Sequence, residues 1–307
     1  MLRLIDRPGQ HALLRVPPST RAVVSWNTGA PAGGIALIAH RADGTVSEPL
    51  LYVRWSPEDR RSLDGSDATT RVAVDVVHSD VALTAIGIAS TVGLDAVAVA
   101  VPPPPDARVA PRASTRTLDV PALSQYLPAF PDERGWCSAA SVAMLLAHHG
   151  IDADVATVAR AVYDASYEGT GNWVFNTAYA AARGLRAVVA YLRGIDHVAA
   201  FIDAGLPVAI SIGWNQGELP GAPLEHSDGH LLVVRGVDPE HVLVNDPAHP
   251  AVAIRYPRTA LDLVFREHGG VAYLVAPRER TAELVALANG QPPPTDPVSD
   301  AKIAGAS

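Results

Sequence analysis

One cysteine, Cys137, occurs in the 307 residues, and it sits where a thiol can be made reactive. Pro131, Asp132, Glu133 and Gly135 break regular structure ahead of it. Ala139, Val142, Ala143, Leu146 and Ala147 then recur at helical spacing up to Gly150, which predicts a helix beginning at or beside Cys137. At a helix N-terminus the unpaired N–H groups and the positive dipole end favour an anion, so a thiolate is stabilised there. A lone cysteine is more often a small buried hydrophobe than a nucleophile. The chemistry therefore needs a base, an orienting acid and an oxyanion donor from elsewhere in the chain.

Two apolar runs around an Asp-Pro turn, Leu231–Val237 and Val242–Asn245, predict an antiparallel hairpin. His230 stands at the start of its first strand and Asp246 at the end of its second, near enough for an imidazole to reach a carboxylate. Cys137 with His230 would form a thiolate–imidazolium pair, and Asp246 would hold the imidazole in its useful tautomer. Gln125, in the extended segment Leu118–Tyr126, could offer a side-chain N–H to an oxyanion, beside the backbone N–H of Cys137. His148 and His149 lie about 16 Å along the cysteine helix and cannot be its base. His226 and His241 fall in a loop and in the hairpin turn. The polar stretch Tyr167–Trp173 offers Asn172 and Trp173 as substrate contacts, with Trp136 beside the cysteine as a third.

The composition narrows the function classes. A formal charge of −8, with no basic block, argues against nucleic acid as a partner. One cysteine excludes an internal disulfide and a multi-cysteine metal site, and no metal motif or nucleotide-binding glycine fingerprint is present. No cofactor is expected. The longest apolar run, Ala96–Val101, is too short to span a bilayer. No signal-peptide core follows Met1, so the chain reads as cytoplasmic, with secretion left open. Oligomeric state has no signal.

Residues 12–101 give short alternating or apolar runs separated by turn residues, which predicts an N-terminal antiparallel β-sandwich. Arg71–Val77 is one of the expected strands, and Trp26, Tyr52 and Trp55 read as its core aromatics or as a binding face. The tetraproline Pro102–Pro105 is stiff and cannot enter a sheet, so it marks a linker. The expected organisation is α+β: an accessory β domain over residues 1–111, a catalytic domain over 112–280 and a flexible tail over 281–307.

From about Leu118 to Ala276 the sequence resembles the bacteriocin-leader (double-glycine) peptidase family and its bacterial relatives among the papain-like cysteine peptidases. The segments that carry the likeness are Val120-Pro121, Ser124-Gln125, Trp136-Cys137-Ser138, Gly229-His230-Leu231 and Val244-Asn245-Asp246-Pro247. Gly169–Tyr179, Val24–Asn27 and Tyr52–Trp55 are similar to actinobacterial members with an extra N-terminal β domain. The resemblance implies a papain-like fold, with a cysteine helix packed on an antiparallel sheet. It also implies Cys137 as nucleophile, His230 as base, Asp246 as orienting acid, Gln125 in the oxyanion site and a peptide or protein substrate. Ser138 stands where the leader peptidases often have glycine. No transporter segment is present, so a double-glycine leader is not implied. Two alternatives stay open: a non-catalytic binding protein using Trp26 or Trp55, and a transglutaminase-like acyl transferase.

Overall fold

The computed structural model describes residues 1–104, 106–107 and 109–294. Pro105 of the predicted linker and residues 295–307 of the predicted tail lie outside the described residues. The chain builds two six-stranded antiparallel sheets.

The first contains β1 (Leu2–Asn27), β2 (Gly33–Arg41), β3 (Leu50–Trp55), β4 (Arg60–Ser62), β5 (Thr70–Ala73) and β6 (Val76–Ala100). Its order is β1-β6-β2-β3-β4, with β5 also on β6. Strands β1 and β6 are long and bent: Ala100 pairs with Leu2 on one side and with Val23 on the other. The sheet thus curls over itself, where the sequence predicts separate short strands stacked as a sandwich. Ala12–Val16 and Ala22–Trp26 belong to one strand because Pro17-Pro18 falls where the register shifts, between Arg15 and Ser19. Proline is tolerated where the ladder is already interrupted. The run Arg71–Val77, expected as one strand, instead turns back at Val74–Asp75 between β5 and β6.

The aromatic residues of this sheet are core. Trp26 is 1% exposed, stacked on Trp55 at 5.4 Å and edge-on to Phe175 at 5.9 Å. Tyr52 is fully buried and donates to the carbonyls of Val24 and Asp75, both at 2.9 Å. Trp26 and Trp55 thus belong chiefly to the core, with Trp55 keeping a small exposed edge.

After an irregular stretch come helices α1 (Cys137–His148), α2 (Val155–Val162) and α3 (Trp173–Ala182), which pack on one another. Then follow β7 (Leu185–Tyr191), α4 (Ile195–Asp203), β8 (Val208–Trp214), β9 (Ser227–Val237), β10 (His241–Asn245), β11 (Ala253–Pro257), α5 (Arg258–Glu267), β12 (Val271–Pro277) and α6 (Thr281–Ala288). The second sheet runs β11-β10-β9-β8-β12-β7. Helix α1 lies on β8 and β9, and α3 on β7 and β12. The expected flexible tail is corrected over α6, whose Leu284, Leu287 and Ala288 are buried. Asn289, just beyond it, exchanges hydrogen bonds with the backbone of Leu2.

The edge strand β7 would leave backbone groups open, a liability in any sheet. The end of β1 covers it. Asn27 donates to the Ala187 carbonyl at 2.7 Å and accepts from the Ala187 N–H at 3.3 Å, while Ser25 Oγ accepts from Val189 N–H at 3.3 Å. Buried Arg186 reaches back to Asn27 and ion-pairs with Asp6. No helix of the described residues is long and apolar enough to cross a membrane, and no group of three or more His, Cys, Asp or Glu among them is placed to hold a metal ion.

Candidate active site

Helix α1 begins at Cys137. No side chain caps its N-terminus and no acid lies in its first turn, so its N–H groups face the thiol without competition. Small residues let α1 sit close to β9: Ala139, Ala140, Ala143 and Ser141 are fully or almost fully buried. Cys137 itself stays partly exposed.

Strand β9 brings His230 under the start of α1. In the β9–β10 ladder Asn245 pairs with Val233, so Asp246 is a diagonal neighbour of His230 on one face of the hairpin. His230 Nε2 meets Asp246 Oδ1 at 2.8 Å, with both side chains buried. The acid is held from other sides as well. Tyr256 OH donates to Oδ2 at 2.7 Å, and Ala248 N–H donates to Oδ1 at 2.9 Å. With Nε2 committed to the acid, Nδ1 is the ring atom left free, and the thiol and the ring are close enough to influence each other's ionisation.

The electrostatics follow from these contacts. Burial opposes ionisation of the Cys137 thiol, but the His230 hydrogen bond and charge and the N–H groups of Leu231 and Ser138 bring it below its ordinary value of 9.0. Burial also opposes charging of His230, yet its bonds to Asp246 and Cys137 raise it to about 10. Asp246 stays below the usual carboxylate value despite burial, through His230, Tyr256 and the Ala248 N–H. All three directions favour one state: thiolate, imidazolium and carboxylate in line.

Gln125 is buried, and its N–H donates to the Pro247 carbonyl at 2.9 Å, so its segment runs beside Asp246. Its side-chain amide donates to the Arg134 carbonyl, just ahead of Cys137. One amide hydrogen remains for a ligand, since the group carries two. Oε1 is buried without a partner among the described residues.

The three predicted substrate contacts fare differently. Trp136 is mostly buried, its ring tilted against Phe130 at 5.3 Å. Asn172 is fully buried and caps α3. Its Oδ1 accepts from the N–H groups of Val174 and Phe175, and its Nδ2 donates to Asp164 at 2.8 Å. The expectation that Asn172 touches substrate is thereby corrected: both ends of its amide hold the fold. Trp173 is partly exposed at the head of α3, its N–H bonded to Asp75 at 2.7 Å.

Two residues at the site escape the sequence reading. Trp214 closes β8 and sets its ring edge-on to His230 at 5.7 Å, covering the imidazole. Its signal was available in the register, since Ile212 pairs with His230. Tyr256 gave none: its ladder partner is Val242, and only the path of the chain after Asp246 brings the two together.

Among solved structures, the chain is similar to a protein from Bacillus anthracis assigned as a C39-like peptidase, with 20% identity and a TM-score of 0.42 over 55% of this chain and 99% of that one. It is similar to a double glycine motif protease from an AMS/PCAT transporter in complex with the leader peptide, at 22% identity and a TM-score of 0.36, over 54% and 97%. The peptidase domain of Streptococcus ComA, a bifunctional ABC transporter, shares 17% identity with a TM-score of 0.37, over 51% and 98%. No curated protein matches the chain. The model of the Peptidase_C39 like family does match, over residues 117–273, which is just over half of the chain and takes in Gln125, Cys137, His230 and Asp246. On that match the chain belongs to the Peptidase_C39 like family.

Proposed function

We propose that the chain is a cysteine peptidase that cleaves peptide bonds through Cys137, His230 and Asp246 by way of a thioester. The observation that carries this reading is the path from Cys137 at the start of α1 to His230 on the strand packed against that helix, and through one hydrogen bond to a buried, triply held carboxylate. A cysteine serving only to pack has no use for such a path.

In the first step the Cys137 sulfur attacks the scissile carbonyl carbon. The oxyanion is met by the Cys137 backbone N–H and the free amide hydrogen of Gln125. His230 gives its proton to the leaving nitrogen as the C–N bond breaks, leaving the acyl group on sulfur. Water then attacks the thioester with His230 as base, the C–S bond breaks and the thiolate returns. Asp246 keeps the ring oriented and its positive charge compensated throughout. Residues 112–280 are read as the peptidase unit, with the curled sheet of residues 1–111 attached to it. The family membership supports a peptide substrate, and product analysis of the first turnovers parts hydrolysis from acyl transfer.

The test is the pH dependence of Cys137 alkylation by iodoacetamide. Because the folded thiol is drawn down by its surroundings, the wild type should alkylate with a midpoint below the roughly 8.5 of a free thiol. In His230→Ala burial acts without its counterweight, so the midpoint should move up. An ordinary profile indifferent to that substitution, with no cleavage in a peptide-library digest, would sink the proposal.

A further inference from the structure

The first sheet meets the cysteine helix at the loop of residues 163–172, between α2 and α3. Three hydrogen bonds run from that sheet to the loop and its exit. Ser62 N–H donates to Asp164 Oδ1 at 3.0 Å, Ala165 N–H donates to the Arg60 carbonyl at 2.8 Å, and Trp173 N–H donates to Asp75 Oδ2 at 2.7 Å. The loop is tied in turn to the approach of α1, where Thr170 Oγ1 donates to the Gly135 carbonyl at 2.8 Å. Asn176 Nδ2 holds the Thr170 carbonyl from below at 2.7 Å. Half-exposed Tyr167 lies over the two glycines of the loop; a Cβ on Gly169 or Gly171 would come within 3.1 Å of its side chain.

Asp75 reaches its place at a cost. It is 5% exposed, and it sits in the two-residue turn between β5 and β6. The residue before it, Val74, has φ 58°. A type II′ hairpin turn takes glycine at this first position, and a β-branched residue there is a true outlier. Such strain concentrates where the surrounding structure puts it to use. A turn serving only to join two strands gains nothing from Val-Asp over Gly-Asn. This one delivers a buried carboxylate to the first N–H of α3, while Tyr52 holds the turn from behind through the Asp75 carbonyl at 2.9 Å.

Resting on the peptidase reading, we propose that Asp75 is a positioning residue for the candidate active site. Through the Trp173 N–H it fixes the 163–173 segment, which is tied to Gly135 two residues before Cys137 and on this reading forms a wall for the bound peptide, so the first sheet is a working part of the peptidase and not a detachable appendage.

The test compares full-length Asp75→Ala and Asp75→Asn with wild type. A quenched-fluorescence peptide library reports turnover, iodoacetamide reports the thiol, and amide hydrogen exchange reports Trp173 and Ser166, whose N–H donates to Asp164 Oδ1 at 3.0 Å. Asp75→Ala should raise KM about tenfold, because the wall is misplaced, and speed exchange at both amides while the alkylation midpoint stays put. Asp75→Asn keeps an acceptor oxygen and should restore near wild-type KM. Wild-type KM and exchange in Asp75→Ala, a shifted alkylation midpoint, or no rescue by asparagine would each overturn the proposal. Should Asp75→Ala fail to fold, Asp164→Asn, whose NH2 must face either Asn172 Nδ2 or the Ser62 and Ser166 N–H groups, takes its place with the same expected rise in KM and exchange, and wild-type values there overturn it. Failure of the peptidase reading shows in the wild type itself, as absent turnover with an ordinary thiol profile. Failure of this proposal shows only in the comparison of variants.

Discussion

The two sheets bury polar groups in different ways. In the first, Arg41 pairs with Asp67 and donates from Nε to Thr70 Oγ1 at 3.0 Å, and Thr70 shares a hydrogen bond with Ser79 at 3.1 Å. That network ends on the Val81 carbonyl and on the part-exposed Asp67 carboxylate, and contains no histidine or thiol. In the second, Tyr256, Asp246 and His230 form a chain of the same kind that leads toward Cys137, a residue that stays partly exposed. The first sheet's set fixes a shape. In the proposed peptidase, the set in the second keeps the thiol ready to react. Burial alone does not separate the two; the terminus of the network does.

Substitutions that cut each network should separate these roles. The largest effect is expected from His230→Ala, which removes the base: peptide turnover should fall by at least about a thousandfold, measured as kcat/KM on a cleaved peptide, while the melting temperature moves far less. Next comes Arg41→Ala. It takes the guanidinium from Asp67, which is left with the Thr69 and Thr70 N–H groups, and should cost about 2 kcal/mol in urea unfolding, with the Cys137 alkylation profile unchanged. A shifted profile would mean the first sheet's network reaches the site after all. The smallest is Tyr256→Phe, which takes one hydrogen bond from buried Asp246. Stability should drop by about 1–2 kcal/mol, and the thiol midpoint should rise slightly as the acid's hold on His230 weakens. If Tyr256→Phe leaves the midpoint fixed, the chain is less coupled than its geometry implies.

Much of the site was legible before any coordinates. The run from Ala139 to Ala147 has helical spacing, and α1 begins at Cys137. Leu231–Val237 and Val242–Asn245 read as a hairpin and pair as one. These signals are local: apolar period, turn residues and strand ends. The first sheet was read less well. Runs that look like separate strands are segments of β1 and β6, since a bulge at Pro17-Pro18 and a turn there look alike in sequence. Arg71–Val77 alternates without interruption, and nothing local announces that Val74 turns the chain. Asn172 seemed a polar loop residue free for a ligand, but polar residues before an apolar run are also helix caps, and capping is its role.

The sequence by itself determined the chemical inventory: one thiol at a helix start, one imidazole and one carboxylate on a hairpin, and a glutamine on an extended segment. Residue type and short-range periodicity suffice for that, because both are properties of the chain a few residues at a time. Only the tertiary structure decided that Tyr256 and Trp214 complete the surroundings of His230 and Asp246, that Trp26 and Trp55 are core, and that Asp75 crosses from one sheet to the other. Those outcomes depend on which distant backbones come to lie side by side, and so on the packing of whole elements, which no local pattern encodes.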